Sequence, residues 1–177
     1  MKRRQVQSAG GLVALAHSRY SNAMFEVLVY LYQTYYRPEA CPQADVLFKK
    51  LSAAGFAEED ISQALDWLRG LAISSVSNLH TQQKPDSMRF YTDQEYRSLG
   101  VSALGLIHFL EQASVFSGIH REIVLERALA VGESPLSLDK LRIIVLMLLW
   151  SQGKEPDALV LDELLLEEDE SEERVLH

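Results

Sequence analysis

The stretch "ISSVSNLHTQQKPDSMRFYT", residues 73–92, decides between two folds for this chain of 177 residues. It lacks the three- to four-residue apolar repeat of a helix and is rich in Ser, Thr and Val. Two short runs within it, residues 73–78 and 87–92, have the composition of strands and flank a polar turn. We therefore predict a β-hairpin here. The alternative is a helical protein with an ordered loop.

Three helices are predicted upstream of this stretch. Residues 24–36, "MFEVLVYLYQTYY", are apolar on nearly all sides, which is typical of a buried helix. A second helix is predicted over 45–54 and a third over 58–70, where three acidic residues favour the first turn and Gly70 closes the last. Three helices followed by a hairpin is the order of a winged helix. Residues 24–92 are therefore predicted to form a winged-helix-like module.

A small helical bundle is predicted to follow, over 93–166. Its start is marked by the capping-box sequence from Thr92 to Glu95, in which each side chain satisfies a free backbone N–H group. Gly100 is predicted to end this first helix. Residues 138–150, "LDKLRIIVLMLLW", are predicted to form the central buried helix of the bundle because their apolar run is continuous. The fold class is thus mainly α, with an acidic tail over 167–177.

The first 23 residues are interpreted as an extension outside the fold, because the amphipathic pattern begins at Met24. They are predicted to be disordered, and either a tag remnant or an upstream start codon explains them. A secretory signal is the remaining alternative. Its apolar core would be Leu12 to Ala16, and these five residues are fewer than the usual ~7–15.

Charge is unevenly distributed along the chain, whose net charge is −8. From Lys154 to the C-terminus there are ten acidic and two basic side chains, whereas residues 24–153 hold 15 acidic and 11 basic ones. The predicted third helix, which would enter DNA in a winged helix that reads bases, carries four acids and one Arg. Nucleic-acid binding depends largely on cations that neutralise phosphates, so it is not expected here.

No catalytic, cofactor-binding or metal site is predicted from the sequence. The five His residues lack the close spacing of a zinc site, and the single cysteine, Cys41, cannot supply a thiolate cluster. A phosphate-binding glycine loop is also missing. Alternating Glu and Arg residues over 121–127 are interpreted as a solvated helix face.

Two observations bear on the compartment. One cysteine cannot form an internal disulfide, which favours a reducing environment and hence the cytoplasm. The longest apolar run, Ile143 to Trp150, has eight residues, whereas a membrane-spanning helix needs about 18 or more. No membrane association is predicted.

A contact surface is the remaining candidate site. Tyrosines are enriched near the end of the first helix, two lysines lie on the second, and two cations lie in the predicted hairpin. The candidate interaction residues are Tyr32, Tyr36, Lys49, Lys50, Lys84 and Arg89.

Four segments together resemble the Smg family of bacterial proteins: "MFEVLVYLYQTYYRP", "LSAAGFAEEDISQALDWLRGL", "SMRFYTDQEYRSLG" and "GLIHFLEQASVFSGIHREIVLERALAV". The resemblance covers residues 24 to about 166, and the C-terminal "VLH" is also similar. Family members begin at the Met-Phe-Glu/Asp-Val-Leu element, which agrees with Met24 as the start of the fold. The resemblance implies a bacterial cytoplasmic protein, and it implies no catalytic residue because the function of the family is uncharacterised.

These observations favour a non-enzymatic interaction or regulatory protein with a protein partner. A nucleic-acid-associated winged-helix factor is the alternative, using Lys49, Lys50 and the predicted hairpin. An enzyme with an unrecognised site is a third reading, since a site assembled across several helices can leave no pattern in the sequence.

Overall fold

The computed structural model describes residues 20–35, 37–78, 89–154 and 158–165. Within these ranges the chain forms seven α-helices, a 3-10 turn at Pro38–Ala40 and no strand. The prediction of a mainly α fold is confirmed. The helices are α1 (Asn22–Thr34), α2 (Ala44–Ala53), α3 (Glu58–Asn78), α4 (Asp93–Gln112), α5 (Gly118–Val131), α6 (Leu138–Ser151) and α7 (Ala158–Leu165).

The predicted β-hairpin is wrong, and the winged-helix-like prediction fails with it. Its first strand, residues 73–78, is the last part of α3. The hydroxyl groups of Ser74 and Ser75 donate to the carbonyl oxygens of Gly70 and Leu71, at 3.0 and 2.9 Å, so these serines bond within the helix. Of the second strand, residues 89–92 are described and are not paired in a sheet, while Ser87 and Met88 lie outside the described residues.

Gly70 does not end the third helix as predicted. It lies inside α3, and a Cβ atom at this position would stand 2.0 Å from Nη1 of Arg127 on α5. The glycine therefore makes room for a guanidinium group from a neighbouring helix. The sequence indicated a break because a glycine needed for close packing is indistinguishable there from a glycine needed for a turn.

The predicted start and break of α4 are confirmed. The hydroxyl of Thr92 accepts from the N–H of Glu95 at 3.2 Å, and the carboxylate of Glu95 accepts from the N–H of Thr92 at 2.7 Å. Gly100 has a φ of 77° and a ψ of 167°, a backbone conformation that is open mainly to glycine. The helix is kinked at this residue.

Helix α6 is the centre of the molecule, as its apolar sequence predicted. Nearly all of its residues from Leu141 to Trp150 are buried. The indole Nε1 of Trp150 donates to the backbone oxygen of Tyr35 at 2.7 Å, which joins the end of α6 to the end of α1. The helix packs against α1, α4, α5 and α7.

The helices on the two sides of residue 92 pack together, because α1 contacts α6 and α3 contacts α5. Residues just before Met24 also contact the helices. The side chain of Tyr20 is buried, and Ser21 caps α1 by accepting from the N–H of Met24. Its hydroxyl donates to Asp60 at 2.6 Å, and its N–H donates to Gln63 at 2.8 Å, both on α3. Helix α1 and its N-cap, Ser21, thus include residues ahead of Met24, the predicted start of the fold.

Candidate functional site

A chain of ion pairs joins α4 and α5, with Arg121 at its centre. The Nη1 atom of Arg121 donates to both carboxylate oxygens of Glu111, at 2.7 and 2.9 Å, and its Nε donates to Glu122 at 3.1 Å. The Arg121 side chain is 8% exposed, and the two glutamates are each 24% exposed. The predicted solvated face at this position is therefore wrong, because its central cation is buried.

Arg89 extends this chain of ion pairs to the start of α4. Its Nε donates to Glu122 at 3.1 Å, and its Nη2 donates to Glu95 at 2.6 Å. Burial opposes ionisation of Glu95, but the N–H of Thr92 and the Arg89 guanidinium outweigh it, so the pKa of Glu95 is lowered. The same glutamate thus completes the capping box and holds Arg89. We call the five side chains the ion-pair network: Arg89, Glu95, Glu111, Arg121 and Glu122.

The network accounts for one of the predicted interaction residues, since Arg89 is held between two carboxylates. Lys49 and Lys50 lie exposed on α2, where the Nζ of Lys50 stands 5.9 Å from the centre of the Tyr35 ring. Tyr32 is half-buried and packs against the core. Of the predicted cations that the structure describes, Arg89 thus pairs with carboxylates of α4 and α5, and the two lysines lie on α2. The two other candidates, Tyr36 and Lys84, lie outside the described residues.

An apolar strip on the second half of α3 is a surface feature that the sequence analysis did not predict. Ile73 and Val76 are 61% and 62% exposed, and they line a shallow groove with Arg69, Ala72 and Ser77. These positions are spaced by three or four residues and so lie on one helix face. This spacing is present in the sequence, but the predicted hairpin places residues 73–78 on a strand. We call these five residues the α3 strip.

The first half of the same face is acidic. Glu58, Glu59 and Asp66 are exposed on α3, ahead of the strip. Asp66 pairs with Arg69 at 2.7 Å, and both side chains of this pair are more than 60% exposed. An exposed pair of this kind contributes little to stability and can exchange partners at low cost. The face of α3 therefore runs from negative charge to apolar surface within one helix.

Among the described residues, no group of three His, Cys, Asp or Glu side chains is placed to hold a metal ion.

Cys41 is half-buried next to Lys50. Burial raises the pKa of its thiol, and the nearby lysine only partly offsets this effect. The thiol is thus protonated at neutral pH, which does not suit a nucleophile. No helix in the described part of the chain is long and apolar enough to cross a membrane.

His120 caps the start of α5. Its Nδ1 accepts from the N–H of Ser117 at the start of α5, at 3.0 Å. Burial and the charge of Lys154 lower the pKa of His120, although a hydrogen bond with Gln152 partly opposes them. The neutral ring is the form that can cap, because a protonated Nδ1 cannot accept a hydrogen bond.

We expect acidification to weaken this cap. The folded pKa of His120 lies below its usual 6.5, so its contribution is complete above about pH 6.5 and is lost as the pH falls through the folded value. A His120→Gln variant keeps an acceptor at the capping position without a titrating ring. Between pH 7.5 and 5, urea unfolding should show a fall in stability that is larger in the parent protein by about 1 kcal/mol or less, the size of a typical cap. Equal slopes in the two proteins would contradict the assignment.

Comparisons with known proteins show the family to which this chain belongs. A family model described as "Protein of unknown function (DUF494)" matches residues 24–176. The chain is 56% identical over 158 residues to "Protein Smg homolog" of Herminiimonas arsenicoxydans, and 54% identical over 155 residues to the protein of the same name from Bordetella avium (strain 197N). Each alignment covers 87% of this chain and the whole of the relative.

The chain therefore belongs to the Smg family, as its sequence motifs indicated. A third relative, "Protein Smg homolog" of Leptothrix cholodnii, is 50% identical over 154 residues, and again all of that protein is covered. No solved structure matches the chain.

Proposed function

We propose that this Smg-family protein is a non-enzymatic, cytoplasmic interaction protein, and that the α3 strip is its contact surface for a protein partner. The observation that carries the proposal is the exposure of Ile73 and Val76, at 61% and 62%, on a helix whose opposite side forms part of the core. Adjacent exposed apolar side chains with a polar rim are characteristic of surfaces that bind a partner.

Burial of Ile73 and Val76 would supply part of the binding energy of a protein–protein contact. Complete burial of a large aliphatic side chain contributes about 1.5–3 kcal/mol relative to full exposure. Because Ile73 and Val76 are each already about one-third covered, their burial would contribute roughly 1–2 kcal/mol each. These two residues would anchor a larger contact rather than account for the whole affinity.

Charge favours a basic partner. Glu58, Glu59 and Asp66 precede the strip on the same helix, and the whole chain has a net charge of −8. An amphipathic helix with aliphatic residues and neighbouring Lys or Arg residues would match both halves of the α3 face. Such charges mainly raise the association rate and exclude acidic competitors.

The association test uses full-length tagged protein in the bacterium that encodes it. A double variant, Ile73→Glu with Val76→Glu, should retain its stability within about 0.5 kcal/mol, since both residues are exposed. After nuclease treatment, we expect a basic protein to copurify with the parent and to be lost with the double variant. Val46→Glu, an exposed apolar site on α2, is the matched control and should retain it. The proposal would be refuted if the basic protein still copurified with the double variant. It would also be refuted if nuclease treatment removed the basic protein from the parent.

A direct measurement distinguishes this proposal from nucleic-acid binding. We expect labelled duplex and single-stranded probes to show no saturable change in fluorescence anisotropy at about 150 mM salt, where exposed charges are screened beyond ~8 Å. The reason is that Arg89 is held by carboxylates and the exposed α3 face is acidic. Micromolar binding that weakens steeply with added salt would favour the nucleic-acid alternative.

A further inference from the structure

A second exposed apolar line lies on α4, beyond the kink at Gly100. Val101 is 82% exposed and Phe109 is 53% exposed. Gly105 lies midway between them, and a Cβ atom built there would meet no atom within 4 Å. Residues four apart lie on the same side of a helix. The line therefore has a protruding side chain at each end and a notch at its centre.

A cavity of about 720 Å³ opens at one end of this line. It is lined by residues 99–102, around the kink, and by residues 135–139, which lead into α6. Pro135 stands 3.6 Å from the position of a Cβ atom at Gly100, so the loop before α6 reaches the kink. Val101 lies on the rim of the cavity, and Phe109 projects two helical turns away from it.

Beyond the kink, the other exposed residues of α4 around this line are Ser102, His108 and Gln112, and none of them is a carboxylate, Lys or Arg. The cavity at the end of the line includes one carboxylate, Asp139, whose side chain is 59% exposed and pairs with Arg142 at 3.1 Å. Residues 24–153 hold 15 acidic and 11 basic side chains, and the residues from Lys154 onward hold ten acidic and two basic ones, so two copies repel each other where their acidic surfaces meet. Two copies of this acidic protein can approach through this face of α4 with little of that repulsion.

We propose that α4 mediates a two-fold symmetric dimer, in which the α4 helices of two copies pack antiparallel and cross at Gly105. A two-fold contact requires that residue i touch residue j while j touches i. The line satisfies this requirement because Phe109 and Val101 are equidistant from Gly105, each about 6 Å along the helix at a 1.5 Å rise per residue. Phe109 of each copy packs against Val101 and the cavity of the other, and the glycine notch lets the two backbones come close.

The dimer is expected to be weak. Stable interfaces bury about 800 Å² on each partner, whereas one helix face with a neighbouring cavity offers less. Dissociation in the micromolar range or above follows. The dimer does not depend on the α3 strip, because the two surfaces lie on different helices.

Sedimentation equilibrium of the full chain, from about 10 µM to 1 mM, tests the proposal. The parent should shift from monomer to dimer over this range. Phe109→Asp, which places a carboxylate in an apolar contact, should be monomeric throughout, and its circular dichroism should be unchanged because the side chain is exposed. The matched control, Ile73→Glu on the α3 strip, should dimerise like the parent. A monomeric parent at every concentration, or a dimer that Phe109→Asp leaves intact, would overturn the proposal.

A disulfide distinguishes two-fold from head-to-tail packing. In a Cys41→Ser background, Gly105→Cys fits because its Cβ position is open. Crossing at residue 105 brings the two thiols together, so mild oxidation should give a covalent dimer at a rate that rises with protein concentration. Cysteine at the exposed control position Ser52 on α2 should oxidise much more slowly. Equal rates at the two positions would contradict the two-fold geometry.

Discussion

Replacing Arg121 with methionine is expected to lower the free energy of unfolding by about 3 kcal/mol. Removing one partner of a buried ion pair leaves its counter-charge unpaired, and this typically costs 3–5 kcal/mol. Arg121 is 8% exposed and holds Glu111 and Glu122, which are each 24% exposed. Some solvent reaches these carboxylates, so the expected loss lies at the lower end of the range. Methionine keeps most of the length and volume, so the lost charge is the main change.

Urea unfolding at pH 7 measures this effect against a matched exposed pair. Arg69→Met removes the partner of Asp66, whose side chain is 62% exposed. This control should cost under about 1 kcal/mol, as exposed pairs do. If the two variants lose equal stability, the ion-pair network does not hold α4 and α5 together.

Ala72→Pro is expected to cost about 3 kcal/mol or more. Proline inside a helix removes one backbone hydrogen bond and clashes with the carbonyl four residues before it. Ala72 lies well inside α3, at Glu58–Asn78, and is exposed, so the change affects the backbone rather than the core packing. A chain that left the helix at Gly70 would tolerate the substitution.

The control at the same position is Ala72→Gly, which should cost about 1 kcal/mol through helix propensity alone. Thermal or urea unfolding of both variants gives the comparison. A proline variant no less stable than the glycine variant would contradict a continuous α3.

The parts of the fold that were predicted correctly are those in which local and tertiary preferences agree. The continuous apolar run of α6, the capping box at Thr92 and the break at Gly100 each carry a local signal that the structure also uses. Residues 73–78 are different, because Ser and β-branched residues have a poor intrinsic preference for helix. Burial of Leu71 and Ser74 and packing of α3 against α5 override that preference.

The ion-pair network could not be predicted because its members are distant in the sequence. Arg89 meets Glu122 across 33 residues, and Arg121 meets Glu111 across ten. Neighbouring Glu and Arg residues on a helix are most often solvated, and only the packing of α4 on α5 buries Arg121. The α3 strip was hidden for another reason: its spacing becomes apparent only when residues 73–78 are placed on a helix.

The central claim is that the exposed face of α3 contacts a basic protein partner. Site-specific photocrosslinking in living cells tests it most directly, with a photoreactive phenylalanine at Val76 and, as the control, at Ser52 on α2. We expect one discrete crosslinked product at position 76, containing a basic protein, which is absent at position 52 and disappears when Ile73→Glu is added. Crosslinking that is equal at both positions, that yields only nucleic acid, or that survives Ile73→Glu would contradict the account.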